Sequence, residues 1–218
     1  MNSSQRATIV LHGLPVHEEL LRDFDAAMRV TLAEKIEEGD LPPPYFSHPF
    51  YVNRLPGQLW LPIGLFIDGV PYSQTDSLIG VWVVNLATMK RYYILGVRKK
   101  MLCSCGCRGW CTLYHLFIWL RWSFRVGKTG RMPSVRHDDT PFQDDDMVRS
   151  STADNACLLF MVIFLKFDWM EICTTLGFPN WRDGLRPCFA CNASVDSLYQ
   201  FLRHGLRTVP GLTRPFSS

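Results

Sequence analysis

Apolar residues recur with a helical period over residues 16–38, which predicts one amphipathic helix. The three prolines Pro42, Pro43 and Pro44 end it and open a linker that runs to about Pro56. The pattern then changes. Residues 59–68 are rich in Leu, Ile and Phe and finish on Asp68-Gly69, the signature of a buried strand that delivers an acid at its C-terminal end. Residues 78–86 and 91–97 read as a second and third strand, and the short connections between the three imply an antiparallel meander. Helical spacing returns over residues 112–126, where Leu113, Leu116, Leu120 and Phe124 share one face. Residues 127–143 read as an exposed loop, with a short helix within 144–155. The run 158–167, apolar but for Lys166, predicts a central strand buried on both faces. Residues 169–177 then read as a helix stopped by Gly177 and Pro179. The resulting order is strand, strand, strand, helix, strand, helix, an α/β arrangement. Three parts follow from it: an acidic helix and Pro-rich linker (1–55), a core with a Cys-rich insertion (56–191), and a poorly patterned tail (192–218).

Composition fits a folded chain: 218 residues, 47% hydrophobic, 13% aromatic and 20% charged. The longest apolar run, residues 156–165, falls short of the roughly 20 residues a membrane-spanning helix needs. No secretory signal is evident at the start, so an intracellular protein is expected. The net charge of +3 conceals segregation. Residues 16–40 hold eight acids against three bases, whereas residues 77–137 contain no acid at all. Within that acid-free stretch Arg98, Lys99, Lys100, Arg108, Arg121, Arg125, Lys128 and Arg131 are expected to form one positive face for a polyanion, with Trp110 either stacking on a base or packing over the cysteines.

Six of the eight cysteines fall in two clusters. Cys103, Cys105, Cys107 and Cys111 occupy nine residues with two intervening glycines, and thiols two residues apart pair poorly as disulfides but can turn toward one ion. Cys188 and Cys191 form a C-x2-C knuckle of the kind that gives two thiolates to tetrahedral zinc. A structural zinc is expected, preferably shared between two thiols of the first cluster and the second pair, because four ligands in nine residues leave little room for a tetrahedron. No glycine-rich phosphate loop is present, which argues against a small-molecule nucleotide cofactor. His115 and His137 have no local partner.

The strand order, together with FIDGVP at 66–71, DSLIGVW at 76–82, the cysteine segment 103–112 and LKFDWME at 165–171, resembles the ribonuclease H-like fold of DDE-type transposases. The second and third of these segments are also similar to an expanded family of uncharacterised, transposon-derived protist proteins. The resemblance covers residues 59–191 and implies a mixed sheet whose first and fourth strands are neighbours, bringing Asp68 and Asp168 together as catalytic ligands for magnesium or manganese. It also implies a DNA partner and a nuclear location, and it leaves self-association open. A third acid expected on a later helix has only Glu171, Asp183 and Asp196 as candidates, none well placed, so the core reads as truncated. The readings that follow are a catalytically incomplete nucleic-acid-binding domain, an active divalent-metal nuclease or transposase, and a zinc-stabilised protein-interaction module.

Overall fold

The computed structural model describes residues 10–107, 109–168 and 173. The chain divides after Glu171 into two units, and everything described below except Cys173 belongs to the first, Met1–Glu171.

Its centre is a four-stranded sheet of β1 (Trp60–Pro71), β2 (Ser77–Asn85), β3 (Arg91–Arg98) and β4 (Leu159–Phe167), in the order β3-β2-β1-β4. β1, β2 and β3 form the antiparallel meander, and β4 runs parallel to β1. Alternation explains the register. Ile63, Leu65 and Ile67 of β1 and Ile79, Val81 and Val83 of β2 are all at most 5% exposed, and the pairs Leu65↔Val83 and Ile67↔Val81 stack them on one face.

That face meets Val16 and Leu20 of α1 (Val16–Asp23), Leu32 of α2 (Ala26–Glu38), and Leu113, Leu116 and Leu120 of α5 (Trp110–Thr129) in one cluster. The helix α5 approaches β4 closely because position 127 is glycine: a Cβ there would lie 2.6 Å from the Phe160 ring. A buried polar link ties α1 to α5, since the His17 backbone N–H donates to Ser123 Oγ at 3.0 Å and the same hydroxyl meets His17 Nδ1 at 2.8 Å.

Three expectations from the sequence need correction. The single helix over residues 16–38 is two, because Asp25 adopts an extended conformation and accepts the Met28 N–H at 2.8 Å as the N-cap of α2. The Pro-rich linker contains α3 (Pro43–Ser47) and α4 (Pro49–Val52), each with proline in its first turn, where a missing N–H costs nothing. Tyr45 of α3 is fully buried and donates its hydroxyl to the Trp60 carbonyl at 2.9 Å, so this stretch packs on the sheet. Thirdly, β4 is the edge strand among the described residues. Its first half is buried, with Phe160 and Met161 at 2% exposure, but Phe164 and Leu165 are 40% and 63% exposed. At the opposite edge Gly13 bridges Leu95 and the Leu14 N–H donates to Ile94. The expected short helix after the loop is α6 (Met147–Ser151), preceded by one 3-10 turn, Asp144–Asp146. The helix expected over residues 169–177 lies outside the described residues, as do residues 174–218.

Candidate metal centre and acidic pair

The segment between β3 and α5 is shaped by its two glycines. Gly106 and Gly109 have φ of +92° and +84°, a left-handed conformation that costs a side-chain-bearing residue about 1 kcal/mol or more. Gly109 is the N-cap of α5, and the Thr112 and Leu113 N–H groups donate to its carbonyl. The loop therefore folds back on the helix start. The Cys103 N–H donates to Thr112 Oγ1 at 3.0 Å, and the Cys111 N–H donates to Cys107 Sγ at 3.4 Å.

These contacts converge the sulfurs of Cys103, Cys105, Cys107 and Cys111, whose Sγ atoms all lie within 4.8 Å of one another. The Cys105 and Cys111 sulfurs are 3.8 Å apart. That is far beyond a disulfide bond, and it matches the edge of a tetrahedron with metal–sulfur bonds of about 2.3 Å, which is about 3.8 Å. The four thiols could hold a metal ion such as zinc. The positive-φ glycines Gly106 and Gly109 supply turns that let four thiols within nine residues converge, where the sequence reading expected crowding. Cys188 and Cys191 lie outside the described residues.

Electrostatics within the cluster are uneven. The Cys111 N–H directed at its sulfur lowers the Cys107 thiol to about 6, aided by the neighbouring thiols. Hydrogen bonding to Cys107 and Cys105 raises Cys111 to about 12, and the hydrogen bond with Cys103 raises Cys105. Like charges this close repel, so ionising one thiol disfavours ionising its neighbours. A bound divalent cation removes that restriction.

Asp68 and Asp168 are a second arrangement. The parallel register ends at Ile67↔Phe167, so each aspartate follows immediately after that pair on adjacent strands. Asp68 is half-buried and Asp168 exposed. Among the described residues, no group of three His, Cys, Asp or Glu able to hold a metal ion includes either of them. Glu171, Asp183 and Asp196 lie outside the described residues.

The basic residues divide. Arg121, Arg125 and Lys128 are exposed along one stripe of α5, at the spacing of a single helix face. Arg98 and Lys100 instead turn to Asp76, with Arg98 Nε at 3.0 Å and Lys100 Nζ at 3.7 Å, and Arg125 lies 3.7 Å from Asp139. Asp76 and Asp139 flank the acid-free stretch in sequence and fold back onto it. Arg131 donates to the Asp154 carbonyl, Lys99 is half-buried, and Arg108 lies outside the described residues. Trp110 is 46% exposed, with its ring 5.9 Å from Phe117.

Sequence reasoning missed that His115 and His137 line one cavity of about 430 Å³ with Trp119, Trp122, Arg136 and Asp138. No local motif marks it, because α5 and the loop after it meet only through tertiary packing. Arg136, which lines the cavity together with Arg149, is held by Asp145 and Asp146. Among the described residues no helix is long and apolar enough to cross a membrane. Comparison of the chain with protein families, with curated proteins and with solved structures gives no match.

Proposed function

We propose that this protein is a nucleic-acid-binding domain of the ribonuclease H-like kind, derived from a DDE-type transposase, braced by a structural zinc ion on Cys103, Cys105, Cys107 and Cys111, and acting on DNA in the nucleus. The observation that supports the reading is the parallel pairing of β1 with β4: Asp168 directly follows β4, and Asp68 follows the last β1–β4 pair, three residues before the end of β1. Strand C-termini in open α/β sheets are where ligands gather.

Two carboxylates on neighbouring strands supply hard oxygen donors of the kind magnesium or manganese takes. When bound, such a cation neutralises phosphate charge and activates water. Two such ions need more anionic ligands than Asp68 and Asp168 provide, so the pair is read as a phosphate-proximal anchor, and the domain as catalytically incomplete. The exposed cations Arg121, Arg125 and Lys128 supply a backbone contact.

The test is binding of a short DNA duplex as salt is raised. Affinity is expected to fall steeply between 50 and 200 mM salt, because released counterions drive such association. A charge reversal of Arg121→Glu with Lys128→Glu is expected to weaken binding and flatten that slope by about 2. Absence of binding to duplex and single-stranded DNA alike at low salt, or a double variant with unchanged slope, rejects the reading.

A further inference from the structure

We infer that the sheet face carrying Phe66, Trp82 and Tyr93 is a stacking platform for unpaired bases, so that the ligand of this domain is single-stranded nucleic acid. This inference rests on the nucleic-acid reading above and narrows its substrate class.

The strand registers set one row of side chains across all four strands: Lys166↔Phe66, Phe66↔Trp82 and Trp82↔Tyr93. Alternation directs this row away from the core, since its neighbours along the strands, Leu65, Ile67, Val81, Val83 and Tyr92, are buried. Its three rings are continuous. Phe66 and Trp82 centroids are 5.7 Å apart with planes at 54°, Trp82 and Tyr93 are 5.7 Å apart at 57°, and Lys166 Nζ lies 5.6 Å from the Phe66 ring. The rings tilt against one another instead of stacking face to face, which leaves ring surface for flat partners.

Two glycines keep the rings low on the sheet. A Cβ at Gly80 would lie 2.0 Å from the Trp82 indole, and one at Gly96 would lie 2.2 Å from the Tyr93 hydroxyl. The aromatic groups thus cover bare backbone, and a broad partner can approach the sheet. Tyr93 is 47% exposed, and Phe66 and Trp82 are half-buried.

The rows on either side show what kind of partner fits. On one side Arg91, Val84, Gly64 and Phe164 are in register, so cations sit at opposite corners of the platform, Arg91 on β3 and Lys166 on β4. On the other side Gly96, Gly80 and Asp68 are in register, two residues or about 7 Å along β1 and β2 and three residues along β3, where a bulge adds one. Bases resting on Phe66, Trp82 and Tyr93 would carry their phosphates toward the Arg91 and Lys166 corners, and a neighbouring phosphate would fall near Asp68. Base faces are buried inside a duplex, whereas every base of a single strand offers one to an aromatic ring. A duplex cannot use this surface.

The experiment compares three ligands at low salt with the full chain: oligothymidylate, an oligonucleotide of the same length with abasic sites, and a duplex. Oligothymidylate is expected to bind at least about tenfold more tightly than the abasic strand, the order of one lost stacked base. Tyr93→Ala is expected to lose about tenfold for oligothymidylate and nothing for duplex, while Tyr93→Phe, which keeps the ring, binds as the unaltered protein does. A purely structural row would weaken all ligands alike. Equal affinity for the abasic strand, or full oligothymidylate affinity in Tyr93→Ala, overturns the platform while duplex binding upholds the broader reading. No binding of any of the three overturns both.

Discussion

Cys107 and His17 show how strongly single side chains depend on their surroundings. The Cys111 N–H reaches the Cys107 sulfur because Gly109 turns the chain into α5. Replacing Cys107 by Ser removes one donor from a four-sulfur set, so Cys107→Ser is expected to lose its zinc by elemental analysis and to be destabilised by at least about 2 kcal/mol. Cys188→Ser is expected to retain one zinc per chain, because the first cluster itself brings four thiols together; loss of metal in that variant refutes the single-cluster site. His17 makes the pH prediction. Its side chain is fully buried, and burial, assisted by Arg149 and opposed by Glu18, lowers its pKa from 6.5 to about 4. The folded protein therefore keeps it neutral while the unfolded chain takes up a proton below about 6.5. Stability is whole above that pH, falls as pH drops toward 4, and loses no more from this group below it, a total of about 3 kcal/mol. Denaturant titrations of His17→Asn across that window should show a shallower decline. At this scale the cysteine cluster was legible because its ligands are sequence neighbours. The cavity beneath His115 and His137 was not, because its walls come from α5 and a loop some fifteen residues later.

The strands were the most legible elements. Residues 59–68, 78–86, 91–97 and 158–167 foretell β1 to β4 within three residues at every end, since alternating or continuous β-branched and aromatic runs have few other uses. Helices α3 and α4 were opaque for a specific reason: proline stops a helix before it but also starts one, and only packing of Tyr45 against Trp60 decides which. The edge position of β4 was equally hidden, because the eight apolar residues 158–165 look the same whether Phe164 and Leu165 are covered or not. Packing of α5 on β4 gives the element-scale prediction. Gly127→Ala adds a methyl 2.6 Å from a Phe160 ring that is 2% exposed and has little room to yield. The expected overpacking cost of about 1–3 kcal/mol exceeds the gain of about 1 kcal/mol in helix propensity. Thermal unfolding should show a lower Tm, and Gly127→Ala with Phe160→Leu should recover most of it. An unchanged Tm in the single variant means that α5 does not rest on β4 this tightly.

Across the whole unit, charge and topology pull toward different conclusions about chemistry. Topology brings Asp68, three residues before the end of β1, and Asp168, just after β4, onto adjacent strands. Charge supplies an exposed basic stripe on α5, while Asp76 and Asp139 draw Arg98, Lys100 and Arg125 into local pairs. The Arg125–Asp139 pair, exposed on both sides, is weak and gives way readily to a competing polyanion, whereas the Asp76 carboxylate, 6% exposed, holds Arg98 and Lys100 more firmly. Cleavage of a phosphodiester asks for more than this, because two carboxylates recruit one cation loosely and cannot fix two at a set spacing. The expectation is that the protein shows no turnover of single- or double-stranded DNA with magnesium or manganese, even where it binds them. Activity that vanishes in both Asp68→Asn and Asp168→Asn would reverse this conclusion. It would require a third ligand, to be sought by the same substitution at Glu171, Asp183 and Asp196. Activity that persists in both aspartate variants would instead place the chemistry elsewhere and leave the β1–β4 strand ends without a part in it.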